Sequence, residues 1–198
     1  MRIVRFVLLS WLLLIALPAE SILHSTSLHA QGSTEKSVDD LWIDVGLRPQ
    51  LIEDFNNQAR PDDVARVDHP SMVDILQDVS IGRKLVVFKS VADAQALLPH
   101  IADQFDIIGY NLEHGPANRP DEQADPLGSV IRMRELAEEY GKEVAFGPDR
   151  SFAEEMSVEA APYVDMIILQ VQRVQTQPET VRSFVAPLAT QYRRANPD

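Results

Sequence analysis

The chain has no cysteine, which excludes disulfides, thiolate nucleophiles and cysteine-based zinc sites. It has no glycine-rich phosphate loop either: neither G-x-G-x-x-G nor G-x-x-x-x-G-K-[ST] occurs. There is no H-E-x-x-H spacing for zinc and no G-x-S-x-G for a nucleophile elbow. Basic charge is scarce. With 18 Lys and Arg against 30 Asp and Glu, the formal net charge is −12. Such a balance argues against nucleic acid and against anionic membrane surfaces.

What is present begins with an export-type start. Arg2 and Arg5 precede an almost unbroken apolar run from Phe6 to Leu17, which Pro18 ends. About a dozen apolar residues fall short of the ~20 needed to span a bilayer, so residues 1–30 are predicted to be a signal peptide. Leu28-His29-Ala30 offers a cleavage site before Gln31, and Ser25-Thr26-Ser27 offers a second; an uncleaved anchor is the alternative. The expected location is therefore periplasmic or extracellular, with no stable membrane span once the leader is gone. Without residues 1–30 the chain keeps 168 of its 198 residues and a charge of −13 (16 basic against 29 acidic). That length suffices for one domain whose core alone stabilises it.

Residues 31–40 are polar and read as a flexible linker, and residues 41–198 as a single β/α domain. Leu41–Val45 is a candidate first strand, and residues 48–70, rich in proline, are expected to be loops with one helix near 49–58. Ser71–Val79 reads as a short helix with Ser71 and Asp74 as its capping box. Leu85-Val86-Val87-Phe88 is a strand, followed by a helix that Ser90 caps and Pro99 should kink. A strand at 106–113 leads to a loop at 115–123, then to a helix started by Asp125-Pro126 and stopped by Gly141. The next strand runs from Glu143, and a helix with a Ser151/Glu154 capping box follows it. Val164–Arg173 is the last strand, and a helix from Pro178-Glu179, bent at Pro187, closes the series.

Alternating units of this kind predict a parallel sheet. Two closures compete. One is a partial or truncated TIM-type barrel, because the chain ends after a helix, where another strand would begin. The other is an open doubly wound sheet. In both, ligands sit at the carboxyl ends of the strands.

Three apolar runs end there in polar clusters. Glu113, on the same strand face as Asn111 and followed by His114, is a candidate acid or base. It is equally a loop carboxylate that pairs with Arg119. Asp149, with Arg150 next to it, ends the neighbouring strand; strands lie ~4.8 Å apart, which puts Glu113 and Asp149 within the ~5–9 Å used by paired glycosidase carboxylates. The plainer role for Asp149 is to pair with Arg150 or to cap the helix near Ser151. Gln170 and Gln172 share a face of the last strand, with Arg173 beside them, and suit either a bound polyol or an internal amide network. Lys89 pairs with Glu113 across the rim and lowers its pKa, binds an anion, or is simply solvated.

At Tyr110-Asn111-Leu112-Glu113, Gly147-Pro148-Asp149 and Gln170-Val171-Gln172-Arg173 the chain resembles, in layout, exported bacterial (β/α)-barrel proteins of the glycoside-hydrolase-like kind. The resemblance runs from about Lys84 to the end. It implies hydrolysis or binding of a carbohydrate, with Glu113 and Asp149 catalytic and Lys89, Asn111, His114, Arg150, Gln170, Gln172 and Arg173 on the ligand. For a general acid the resemblance requires a raised pKa, which burial near Tyr110 or Phe146 would supply. The alternatives are a non-catalytic protein that holds a small polar ligand and a cut-short barrel without activity of its own. No metal or cofactor is expected. An unclosed sheet leaves strand edges that invite pairing, which places a homodimer among the expected assemblies.

Overall fold

A computed structural model of the chain describes residues 5–7 and 43–196. The expected leader apart from Arg5–Val7, the expected linker at 31–40, and Leu41 and Trp42 lie outside the described residues. Seven parallel strands form one sheet: β1 (Arg5–Val7), β2 (Asp44–Gly46), β3 (Val64–Val67), β4 (Arg83–Phe88), β5 (Ile107–Tyr110), β6 (Glu143–Phe146) and β7 (Met166–Ile168). Strands β2 to β7 lie side by side in chain order and curl into a half-barrel. β1, from within the segment expected to be a leader, pairs with the outer edge of β7, Arg5 opposite Met166.

The helices are α1 (Ile52–Gln58), α2 (Val91–Ile101), α3 (Pro120–Ala124), α4 (Pro126–Glu139), α5 (Arg150–Ala160) and α6 (Pro178–Ala195). Successive crossovers between parallel neighbours are right-handed. With no reversal of strand order they carry the helices to one side, and α2, α4, α5 and α6 indeed touch in sequence. A doubly wound sheet reverses its strand order and covers both faces; this one winds a single way, as a barrel does.

Alternation along the strands divides the core accordingly. Val86, Phe88, Ile108, Tyr110, Val144, Phe146 and Ile167 face the helices and join the main core. Val64, Leu85, Val87, Ile107, Ala145, Met166 and Ile168 form a second cluster on the inner face. Gly109 belongs to that inner face, opposite Val87 and Ala145. A Cβ there would stand 2.6 Å from Leu85 Cδ2, so the inner face closes tightly over a glycine.

Local chemistry explains most element ends. Ser90 Oγ accepts from the N–H of Asp93, and Asp125 Oδ1 from that of Gly128, as N-caps do. Gly141, at φ +63°, terminates α4 while the N–H of Lys142 returns to the Ala137 carbonyl. Pro99 and Pro187 both lie inside their helices, α2 giving way to a 3-10 turn at Ala102.

Several expectations need correction. The 48–70 segment contains a strand, Val64–Val67, besides its helix. Residues 70–78 form a 3-10 helix whose cap is His69 Nδ1, accepting from the N–H of Ser71, in place of the Ser71/Asp74 box. The 115–123 loop ends in the short helix α3. The last strand stops at Ile168, and Gln172 and Arg173 fall in the exposed turn that follows. Gln172 therefore shares no strand face with Gln170. Among the described residues no helix is long and apolar enough to cross a membrane.

Candidate functional site

The inner face changes character toward the carboxyl ends of the strands. Its central row is Val87, Gly109, Ala145 and Met166. Two residues further along each strand, the same face carries Lys89, Asn111, Gly147 and Ile168; two more bring Glu113, Asp149 and Gln170. The parallel ladder continues past the regular strands, since the N–H of Gly147 bonds to the Tyr110 carbonyl and that of Asp149 to the Leu112 carbonyl. This extension carries Asp149 up beside Glu113. The apolar floor thus opens into a polar mouth.

Glu113 stands at the centre of that mouth. Its Oε1 accepts from Asn111 Nδ2 at 3.0 Å and from Gln170 Nε2 at 2.9 Å. Lys89 Nζ lies 3.8 Å from Oε2 and also bonds to Asn111 Oδ1. Both amides share a second acceptor, the Gly147 carbonyl, at 3.0 Å from Asn111 and 3.4 Å from Gln170. Gly147 lies on the strand between them, and its carbonyl bridges the two amides. Burial raises the Glu113 pKa, but the Gln170 and Asn111 hydrogen bonds and the Lys89 charge outweigh it, against a smaller push from Asp149. The net shift is downward. The raised value expected of a general acid is not found, because donors surround the carboxylate and stabilise its charged form.

Asp149 serves a different purpose. Oδ1 accepts from the N–H of Phe152 at 3.0 Å, which makes Asp149 the N-cap of α5 in place of Ser151. Ser151 Oγ instead bonds to Glu155. Oδ2 accepts from the N–H of His114 at 2.6 Å and lies 2.8 Å from His114 Nδ1. The His114 ring stacks on Phe152, with centroids 3.9 Å apart. Burial raises the Asp149 pKa, yet the backbone N–H groups of His114 and Phe152 and the His114 side chain bring it below the ordinary value.

Of the residues singled out in the sequence, Lys89, Asn111, Glu113 and Gln170 meet in one network, and His114 with Asp149 flanks it. The others stand apart. Arg150 pairs with Glu154 at 2.9 Å, and its guanidinium lies 4.7 Å from the centre of the Phe184 ring. Gln172 and Arg173 are in the turn beyond the rim. Arg119 pairs with Asp121, not with Glu113.

The supporting residues escaped notice in the sequence. Buried Asn118 donates to the carbonyls of Lys89 (2.7 Å) and Asn111 (2.6 Å) and accepts from the N–H of Glu113 (3.1 Å). It sews the loop after β5 onto the ends of β4 and β5. Buried Glu122 accepts from the Tyr110 hydroxyl at 2.6 Å and from the N–H of Val91 at 2.9 Å. Burial, then the Glu122 bond and charge, push the Tyr110 pKa upward, so the hydroxyl stays a donor. On the missed strand β3, Arg66 bonds to buried Asp44 at 3.0 Å and pairs with Asp68. Asp68 follows Val67, which lies opposite Val86, so Asp68 falls level with Val87 in the central row, one strand away. A signal was there to read, the short apolar Val64-Ala65-Arg66-Val67 run, but the charge within it concealed it.

A separate pocket, on the helix side of β4, is lined by His69, Pro70, Phe88, Lys89, Asp93 and Leu97 and shares only Lys89 with the network. Among the described residues no group of three or more His, Asp or Glu side chains is placed to hold a metal ion. No protein-family model matches the chain, and no curated protein matches it.

Proposed function

We propose that this chain binds a small hydroxylated ligand, a carbohydrate or related polyol, at the carboxyl-end mouth of its half-barrel. One observation carries the reading: Lys89, Asn111, Glu113 and Gln170 interlock above an apolar floor with hydrogen-bonding capacity left over. Among the described residues nothing donates to Gln170 Oε1, and Glu113 Oε2 meets only the Lys89 ammonium. A sugar hydroxyl both donates and accepts, and so suits a mouth that mixes an ammonium donor with carboxylate and amide acceptors.

Hydrolysis in the glycosidase manner, with Glu113 and Asp149 as the working pair, has less support. An acid–base pair needs one carboxyl held protonated near neutrality. Both pKa values are lowered here, and Asp149 spends both oxygens on the start of α5 and on His114. The apolar leader-like start supports export to the periplasm or outside the cell. Among the described residues β2 is an edge strand, which supports pairing into a homodimer; light scattering of the whole chain tests it.

A glycan panel decides between binding and hydrolysis. Saturable binding of a neutral sugar, abolished in Gln170→Ala and Asn111→Ala and unaccompanied by bond cleavage, is the expected result. Turnover that is lost in Glu113→Gln and in Asp149→Asn favours the hydrolase instead.

A further inference from the structure

We infer that the mouth accepts uncharged or amine-bearing hydroxylated ligands and rejects their phosphorylated and carboxylated counterparts. This rests on the binding reading above and narrows its ligand class.

In β/α folds an anion is ordinarily held by the free N–H groups at a helix N-terminus that follows a strand. Two helices start directly from strands of this mouth, α2 after β4 and α5 after β6. In both, protein oxygens already take first-turn N–H groups. Glu122 Oε1 holds the N–H of Val91 at 2.9 Å, while Ser90 Oγ holds that of Asp93 at 3.0 Å. Asp149 Oδ1 holds the N–H of Phe152 at 3.0 Å. The chain's own carboxylates thus stand where a ligand phosphate would bind.

The cations tell the same story. Lys89 is held between Asn111 Oδ1 and Glu113, so an incoming anion must compete with Glu113 for it. Arg66, on the inner face one strand away and level with Leu85, lies between Asp44 and Asp68. The excess is negative, and the lowered pKa values of Glu113 and Asp149 keep it so at neutral pH. Like charge in a cleft repels an anionic ligand on approach as well as in the site. The acceptors left over, Gln170 Oε1 and Glu113 Oε2, call for hydroxyl or ammonium donors.

Calorimetric titration of the whole chain with matched sets of hexose, hexosamine, hexuronate and hexose 6-phosphate, in gluco, manno and galacto forms, tests the charge rule. In whichever form binds, the uronate and the phosphate should bind at least tenfold more weakly than the neutral sugar. Added salt should narrow that gap. An anionic member that binds as tightly as its neutral partner overturns the inference while leaving the mouth as a binding site. If no member of any set binds, the binding reading itself falls and this inference falls with it.

Discussion

Gln170 donates a hydrogen bond of 2.9 Å to Oε1 of Glu113 from 57 residues away in the chain. The bond spans an intervening strand at Gly147, whose carbonyl holds the same amide at 3.4 Å. Against the burial that raises the Glu113 pKa, the Gln170 and Asn111 hydrogen bonds, with the Lys89 charge, bring it below its ordinary value. Gln170→Leu should therefore raise the Glu113 pKa above its wild-type value, read by carboxyl-carbon NMR titration. An unchanged titration curve would show that the bond has no electrostatic weight.

The lowered carboxylates fix the direction of acid sensitivity. A group whose folded pKa lies below its unfolded one stabilises the fold fully above the unfolded value and loses that contribution as pH falls through the folded value. For Asp149 and Glu113 the ordinary values are 3.8 and 4.5, so the loss should begin as pH drops below about the latter. Asp149→Asn keeps a good N-cap but removes the charge. Its urea midpoint should fall less between pH 5 and pH 3 than that of the wild type. Asp149→Ala, which also removes the cap, should cost about 1 kcal/mol at pH 7.

Two glycines on the inner face should respond in opposite ways to alanine. At Gly109 the new methyl would sit 2.6 Å from Leu85 Cδ2 and 3.2 Å from Val87 Cγ2. Overpacking of that kind costs typically about 1–3 kcal/mol. At Gly147 the nearest atoms lie 3.9 Å away, an ordinary contact, so Gly147→Ala should be neutral or slightly stabilising. Chemical denaturation of the two variants side by side checks the contrast.

Asp44 and Arg66 form a pair that should fail when one partner is removed. Burial raises the Asp44 pKa, opposed by the charge and hydrogen bond of Arg66. Arg66→Leu strands that carboxylate, at a cost of roughly 3–5 kcal/mol at neutral pH. The cost should shrink as pH falls, since the protonated acid tolerates burial. The double variant Asp44→Asn/Arg66→Leu should recover much of the loss. A double variant no more stable than Arg66→Leu alone would place the damage elsewhere.

Where the fold was legible, local rules decided it. Ser90, Asp125 and Gly141 mark helix ends because caps and left-handed stops depend on neighbours a few residues away. Strand β3 was hidden because Arg66 interrupts its apolar run, and that residue is accommodated by Asp44 from another strand. Helix α3 was hidden for a similar reason. Its five residues follow an irregular loop, and buried Glu122 ties them to Tyr110 and Val91, bonds that only the assembled sheet provides. Gln172 misled because β-like composition continues past the point where the sheet ends.

The amino-acid order by itself determined the β/α alternation, the apolar floor and the placing of polar residues at strand ends, since each follows from side-chain periodicity and hydrogen bonding over a few residues. Only the tertiary structure decided that Gln170 reaches Glu113, that Asp149 is spent on a helix start, and that both carboxylates stay charged. Those outcomes depend on distances between atoms far apart in the chain. They are set by the strand register and the curl of the sheet.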